Sequence, residues 1–116
     1  MKTSLLFLMI SSALLVFACG DKKAETVAAA PSKGQQIWQE NCAICHQQGL
    51  GGAPMIGNKV QWQKRVAQGL PTLIEHALNG YSGNTGEMPP RGGNPKLTDE
   101  EVTLAATYMV SQVTDK

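Results

Sequence analysis

The spacing of hydrophobic residues predicts a helical protein. Apolar residues recur three and four positions apart after Ser32, Asn58, Pro71 and Thr98, and this spacing places them on one face of an α-helix. After Ser32, Asn58 and Thr98, a Gln or Glu follows three residues later, as in the capping box that begins a helix. No segment alternates polar and apolar residues in the manner of a half-buried strand. The pattern therefore predicts an all-α fold.

Two glycine-rich stretches separate the predicted helices, at residues 47–57 and 81–96, and both are predicted to be loops. Gly34 stands inside the first predicted helix, where glycine costs about 1 kcal/mol relative to alanine. Close approach of another helix would explain this glycine, and so would fraying near the helix N-terminus.

The N-terminal segment has the pattern of an export signal. An apolar run from Leu5 to Val16, interrupted by two serines, is too short to span a bilayer and is typical of a signal-peptide core. The run is followed by Phe17 and then by Ala18-Cys19-Gly20, which resembles a bacterial lipobox whose cysteine is diacylated. Ordinary cleavage after Ala18, leaving a free thiol at Cys19, is the alternative. We expect a signal peptide at 1–18, a lipidated N-terminus and flexible tether at 19–31, and one folded domain at 32–116.

Charge gives little indication of a partner. The chain has 10 Lys and Arg against 9 Asp and Glu, and removal of the signal peptide, which contains Lys2, balances the two. This composition does not favour binding to nucleic acid or attraction of a polybasic segment to a membrane. Association with the membrane is expected through the lipid on Cys19, at the periplasmic side, with Gly20 compatible with sorting to an outer membrane.

The segment Cys42-Ala43-Ile44-Cys45-His46 carries the clearest chemical signal. Two cysteines separated by two residues and followed by histidine form the attachment motif for haem c. The thiols can each add to one vinyl group of a single porphyrin, and the histidine can bind the iron. The motif predicts one covalent haem, held by Cys42, Cys45 and His46.

Other uses of this motif fit the chain less well. A thioredoxin-like Cys-x-x-Cys requires a βαβ context, which the pattern lacks. A zinc site requires four ligands, and the nearest further histidine, His76, lies in a different segment. A plain disulfide remains open, because the chain has the pattern of an exported protein.

A second iron ligand is expected from a methionine, because a thioether favours the reduced metal. Met88 lies in a loop that Pro89 and Pro90 stiffen, and it is the predicted ligand. Met109 falls on the apolar stripe of the last helix, and Met55 follows His46 too closely. His76 is the rival ligand, although its position on the helix favours a solvated surface residue.

Several residues are expected around the haem. The carbonyl of Pro54 is the predicted acceptor for the second ring nitrogen of His46, because residue 54 closely follows the motif. Four side chains are candidates to meet the haem propionates, and each is equally explained as a core tryptophan or a solvated charge: Trp62, Arg65, Lys59 and Arg91.

These features together resemble a class I cytochrome c, in particular the short bacterial cytochrome c5-like group. The matching residues are Gly34, Trp38, Cys42-Ala43-Ile44-Cys45-His46, Gly52-Ala53-Pro54, Gly57, Trp62, Met88-Pro89-Pro90-Arg91-Gly92-Gly93, Leu97-Thr98-Asp99-Glu100-Glu101-Val102 and Tyr108-Met109. The resemblance implies a small all-α bundle around one haem, with His46 and Met88 as axial ligands and Pro54 accepting from His46. It also implies that the first and last helices cross near Gly34 and Tyr108.

The resulting expectation is a single-haem carrier that shuttles single electrons between redox proteins, such as membrane oxidoreductases or oxidases. Two alternatives remain open at this point. An open coordination position would instead make the chain a haem sensor or a peroxidase-like enzyme, and stable association would make it a subunit of a larger oxidoreductase.

Overall fold

A computed structural model describes residues 31–114. Short helices surround one cavity, and a small hairpin stands between the fourth and fifth α-helices. The elements are α1 (Lys33–Asn41), α2 (Ala43–His46), α3 (Lys59–Val66), α4 (Leu70–Asn79), β1 (Tyr81–Gly83), β2 (Gly86–Met88) and α5 (Asp99–Thr114), with 3-10 turns at Leu50–Gly52 and Pro90–Gly93. The predictions for the signal peptide, Cys19 and the tether up to residue 30 lie outside the described residues.

The helix N-termini form where the sequence predicts them. Ser32 and Asn58 each accept a hydrogen bond from the backbone amide three residues later, at 3.2 and 3.1 Å. At the start of α5 the bonding is reciprocal, because Glu101 also accepts from the amide of Thr98 at 3.0 Å. That backbone hydrogen bond lowers the pKa of Glu101. These side chains satisfy amides that a helix N-terminus otherwise leaves without partners.

Helices α1 and α5 pack against each other and form most of the core. Ile37 and Trp38 of α1 are buried against Ala105 and Met109 of α5. At the crossing, a Cβ on Gly34 would lie 2.5 Å from the carbonyl oxygen of Leu104. Close approach of a second helix therefore explains this glycine, and fraying does not.

Gly34→Ala is expected to destabilise the domain although alanine favours helix formation. The methyl group would meet backbone, which cannot rotate away, and such overpacking costs about 1–3 kcal/mol against a propensity gain of about 1 kcal/mol. The melting temperature of the holoprotein should fall by roughly 4–8 °C for each kcal/mol lost. Gln39→Ala, at an exposed position of α1, is the control, and equal melting temperatures for the two variants would contradict the prediction.

The structure corrects one part of the predicted fold. Residues 81–96 contain a two-stranded antiparallel hairpin, with Tyr81 opposite Met88 and Gly83 opposite Gly86, where the sequence pattern predicts a loop. Strands of three residues are too short to show alternation in sequence. The mostly helical class is unchanged. Within residues 31–114, no helix is long and apolar enough to cross a membrane.

Candidate functional site

One cavity of about 380 Å³ lies where the haem motif, α4, the hairpin and α5 meet. Its wall includes Cys42, Cys45 and His46 of the motif together with Met88, which lies 42 residues after His46 in the sequence. Apolar side chains from two helices complete the wall, namely Leu73, Ala77, Ala106, Met109 and Val110. The cavity wall therefore combines two thiols, an imidazole and a thioether with apolar side chains.

The two cysteines of the motif lie at the edge of this cavity as free thiols. Burial and the neighbouring Cys45 raise the pKa of the Cys42 thiol to about 11. The strands of the described residues form an antiparallel hairpin and no βαβ unit, so the thioredoxin-like interpretation lacks the structural context that it requires.

His46 is buried at the end of α2 with a defined ring orientation. Its Nδ1 lies 2.9 Å from the carbonyl oxygen of Pro54, and since a carbonyl only accepts, Nδ1 carries the proton. Burial lowers the pKa of His46, and the hydrogen bond to Pro54 opposes this effect. A neutral imidazole with Nδ1 donating leaves Nε2 as the nitrogen that can bind a metal.

Met88 ends strand β2 and is half-buried in the cavity wall. Its backbone is held from the side of α4, because a Cβ on Gly80 would lie 3.0 Å from both the Met88 carbonyl oxygen and Pro90 Cδ. Pro89 and Pro90 restrict the backbone on the C-terminal side. The segment therefore presents Met88 from a constrained backbone.

The rival ligands occupy different environments. Met109 is buried and belongs to the α1–α5 core while it also lines the cavity. Met55 is not among the cavity-lining residues. His76 is half-buried, lines the cavity and stacks on Tyr81 with ring centroids 4.1 Å apart. The prediction of a solvated surface histidine is therefore wrong, because the hairpin folds Tyr81 against α4.

Two of the side chains expected near the propionates do lie at the cavity. Trp62 is buried in its wall, but its Nε1 donates to the Met55 carbonyl oxygen at 2.8 Å, so its polar group binds the backbone. Arg65 lines the cavity and donates to Thr85 Oγ1 at 3.2 Å.

The other two candidates lie elsewhere. Arg91 donates to the Leu97 carbonyl oxygen at 2.9 Å and forms an ion pair with Asp99 at 2.6 Å. Lys59 contributes to a different surface depression, formed by α3 and the end of α5. Neither is among the residues that line the cavity, and the guanidinium of Arg91 is engaged by Leu97 and Asp99.

Sequence reasoning missed the contribution of the hairpin turn. Gly83, Asn84, Thr85 and Gly86 all line the cavity. The connection Asn84-Thr85 is not one of the dipeptides, such as Asn-Gly, that signal a tight hairpin in a sequence, and each flanking strand has only three residues.

The donor set fits a covalently attached porphyrin. Two unpaired thiols, a buried neutral imidazole and an apolar wall converge on one chamber, and these are the groups that haem c requires. The fold and the site together define a c-type haem protein.

Comparisons with known proteins agree with this class. A protein-family model described as "Cytochrome C oxidase, cbb3-type, subunit III" matches residues 29–109. The chain is 43% identical over 104 residues to "Cytochrome c-555" of Chlorobaculum tepidum, covering 90% of this chain and 91% of that protein. It is 31% identical over 78 residues to "Cytochrome c5" of Azotobacter vinelandii, covering 66% and 89%. A cytochrome c solved in an electron-transfer complex with nitrite reductase matches with a TM-score of 0.62 at 30% identity, covering 72% of this chain and 96% of that one.

The chain belongs to the cytochrome c family. It carries one covalently bound haem c and acts as an electron carrier, not as an enzyme. The predicted fold class and the resemblance to small class I cytochromes are confirmed by the fold and by relatives named cytochrome c-555 and c5.

Proposed function

We propose that this cytochrome c is a carrier tethered to the periplasmic side of a bacterial membrane, with His46 and Met88 as its axial ligands. When bound, the haem supplies a one-electron couple. Cys42 and Cys45 would attach it, His46 would hold the iron through Nε2, and Met88 would supply the thioether. The convergence of all four side chains on one cavity is the observation that carries the ligand assignment.

The environment of these side chains suits rapid electron transfer. Pro54 orients the His46 ring, and a hydrogen bond from the Ile56 amide to the His46 carbonyl oxygen, 2.7 Å long, holds the following loop against the motif. Gly80 and the two prolines restrain Met88 on the other side. A site whose ligands are already held in place needs little rearrangement when its charge changes.

The ligand assignment is tested with the mature holoprotein. A His–Met pair predicts a weak far-red sulfur-to-iron absorption band in the ferric protein. It also predicts slow binding of carbon monoxide to the ferrous protein, because the thioether must first leave. Absence of the band together with rapid binding would indicate an open coordination position. Absence of the band together with slow binding of carbon monoxide would favour His76 as the second iron ligand, because it lines the same cavity.

The proposed anchor on Cys19 rests on the sequence pattern at residues 16–20. Mass spectrometry of the mature protein is expected to give a mass that begins at Cys19 and includes a diacylglyceryl group and one haem. The Cys19→Ala variant should still carry haem but appear in the soluble periplasmic fraction. A haem-bearing wild-type chain that begins at residue 19 without an acyl group would refute the lipid anchor alone.

The electron donors and acceptors are proposed to be proteins, including membrane oxidoreductases or oxidases. The near balance of acidic and basic residues provides no strong net field for steering. Association is therefore expected to depend only weakly on ionic strength, in contrast to carriers that have a large net charge.

A further inference from the structure

The loop after the haem motif and the tip of the hairpin touch through their backbones. A Cβ on Gly52 would lie 1.6 Å from the Thr85 carbonyl oxygen, and one on Gly86 would lie 2.0 Å from the Gly51 carbonyl oxygen. Neither glycine can gain even a methyl group without separating the two segments. We call this contact, between Gly51–Gly52 and Thr85–Gly86, the glycine clasp.

Arg65 holds the clasp from a third element. Its guanidinium donates to Thr85 Oγ1 at 3.2 Å, and it also donates to the carbonyl oxygen of Gln61 within α3. The side chain is half-buried and lines the cavity. The hairpin tip is therefore restrained by the loop on one side and by α3 on another.

The clasp connects the two segments that carry the proposed iron ligands. The loop is tied to His46 through Pro54 and Ile56. On the hairpin, Gly86 and Met88 are the two ends of the same three-residue strand, which pairs with β1. A displacement of the tip is therefore transmitted to Met88 through a short paired strand, whose base is packed on Gly80.

We propose that the glycine clasp is a positioning device that keeps Met88 at the iron, with Arg65 and Thr85 as its auxiliary residues. The inference rests on the proposed assignment of Met88 as the axial ligand. It assigns to Gly52, Thr85 and Gly86 a function in ligand retention in addition to their part in closing the cavity.

Two neighbouring glycines provide a matched test in the holoprotein. Gly51 and Gly52 both have positive φ, 63° and 81°, but a Cβ on Gly51 would meet nothing within 4 Å. Alanine therefore introduces backbone strain at both positions and a collision only at Gly52. Gly52→Ala is expected to weaken the far-red band and to bind carbon monoxide roughly tenfold faster than Gly51→Ala.

Equal bands and equal binding rates in Gly51→Ala and Gly52→Ala would overturn the proposal. If Gly52→Ala yields no holoprotein, Thr85→Val is the milder test, because it removes the hydroxyl that Arg65 contacts without changing charge or size. We expect binding roughly two- to threefold faster than wild type in Thr85→Val and wild-type binding in Thr85→Ser. Equal rates in wild type and Thr85→Val would then overturn the clasp.

Met88→Ala tests the ligand assignment independently of the clasp. If Met88→Ala leaves the spectrum unchanged, the assignment of Met88 as the axial ligand is wrong, and the proposal for the clasp is then wrong too. If Met88→Ala abolishes the band while Gly52→Ala behaves as Gly51→Ala, the assignment stands and the clasp alone is refuted.

Discussion

Met88→Ala should abolish the far-red band of the ferric protein and lower its reduction potential. Met88 lies in the cavity wall with the two thiols and His46, and a thioether ligand favours the reduced metal. Loss of that ligand is expected to lower the potential by on the order of 0.1–0.2 V, part of the range of about 0.8 V that axial ligands span. Optical spectroscopy and a redox titration of the holoprotein measure both effects.

Two control variants make this result specific. Met55→Leu removes a methionine whose side chain is not among those that line the cavity, and it should retain both the band and the potential. His76→Ala removes the rival ligand and should also retain the band. A band that survives Met88→Ala but disappears in His76→Ala would transfer the ligand role to His76.

Without its haem, the domain is expected to lose cooperative folding. In the described part of the chain, no large side chain is less than 2% exposed, and the cavity of about 380 Å³ lies between the haem motif and α5. Without the haem, the apolar side chains of the cavity wall would face water. A domain this small has little other core to compensate for that exposure.

The double variant Cys42→Ser, Cys45→Ser tests this expectation, because it removes both attachment points. Its near-ultraviolet circular dichroism should be weak, and denaturant should produce a broad loss of helix in place of a sigmoidal transition. Cys19→Ala, outside the described domain, is the matched control and should unfold cooperatively with its haem attached. A sharp transition in the haem-free double variant would contradict the prediction, because it would show that the helices fold cooperatively without haem.

Local signals made the helices and the haem motif predictable. A capping box needs only residues three apart, and Ser32, Asn58 and Thr98 each accept the predicted amide. The hydrogen bond from His46 to Pro54 spans eight residues and was also predicted. Short-range features of this kind depend on backbone geometry that neighbouring residues determine among themselves.

The roles of several long side chains were not predictable in the same way. Trp62, Lys59 and Arg91 were candidates for the propionates, but the indole of Trp62 binds the Met55 carbonyl, Arg91 pairs with Asp99, and Lys59 lies at a different depression. A flexible or amphipathic side chain takes whichever partner the assembled fold places nearest. The stacking of His76 on Tyr81 likewise depends on the hairpin.

The sequence by itself determined where the helices begin, that Cys42, Cys45 and His46 form a haem motif, and that Gly34 requires explanation. Only the tertiary structure decided that Gly34 faces the carbonyl of Leu104, that residues 81–88 pair as a hairpin, and that Gly52 meets Thr85. The physical reason is one of range. Helix caps and covalent motifs depend on neighbours within a turn, whereas close backbone contacts join segments that are distant in sequence and exist only once the chain has packed.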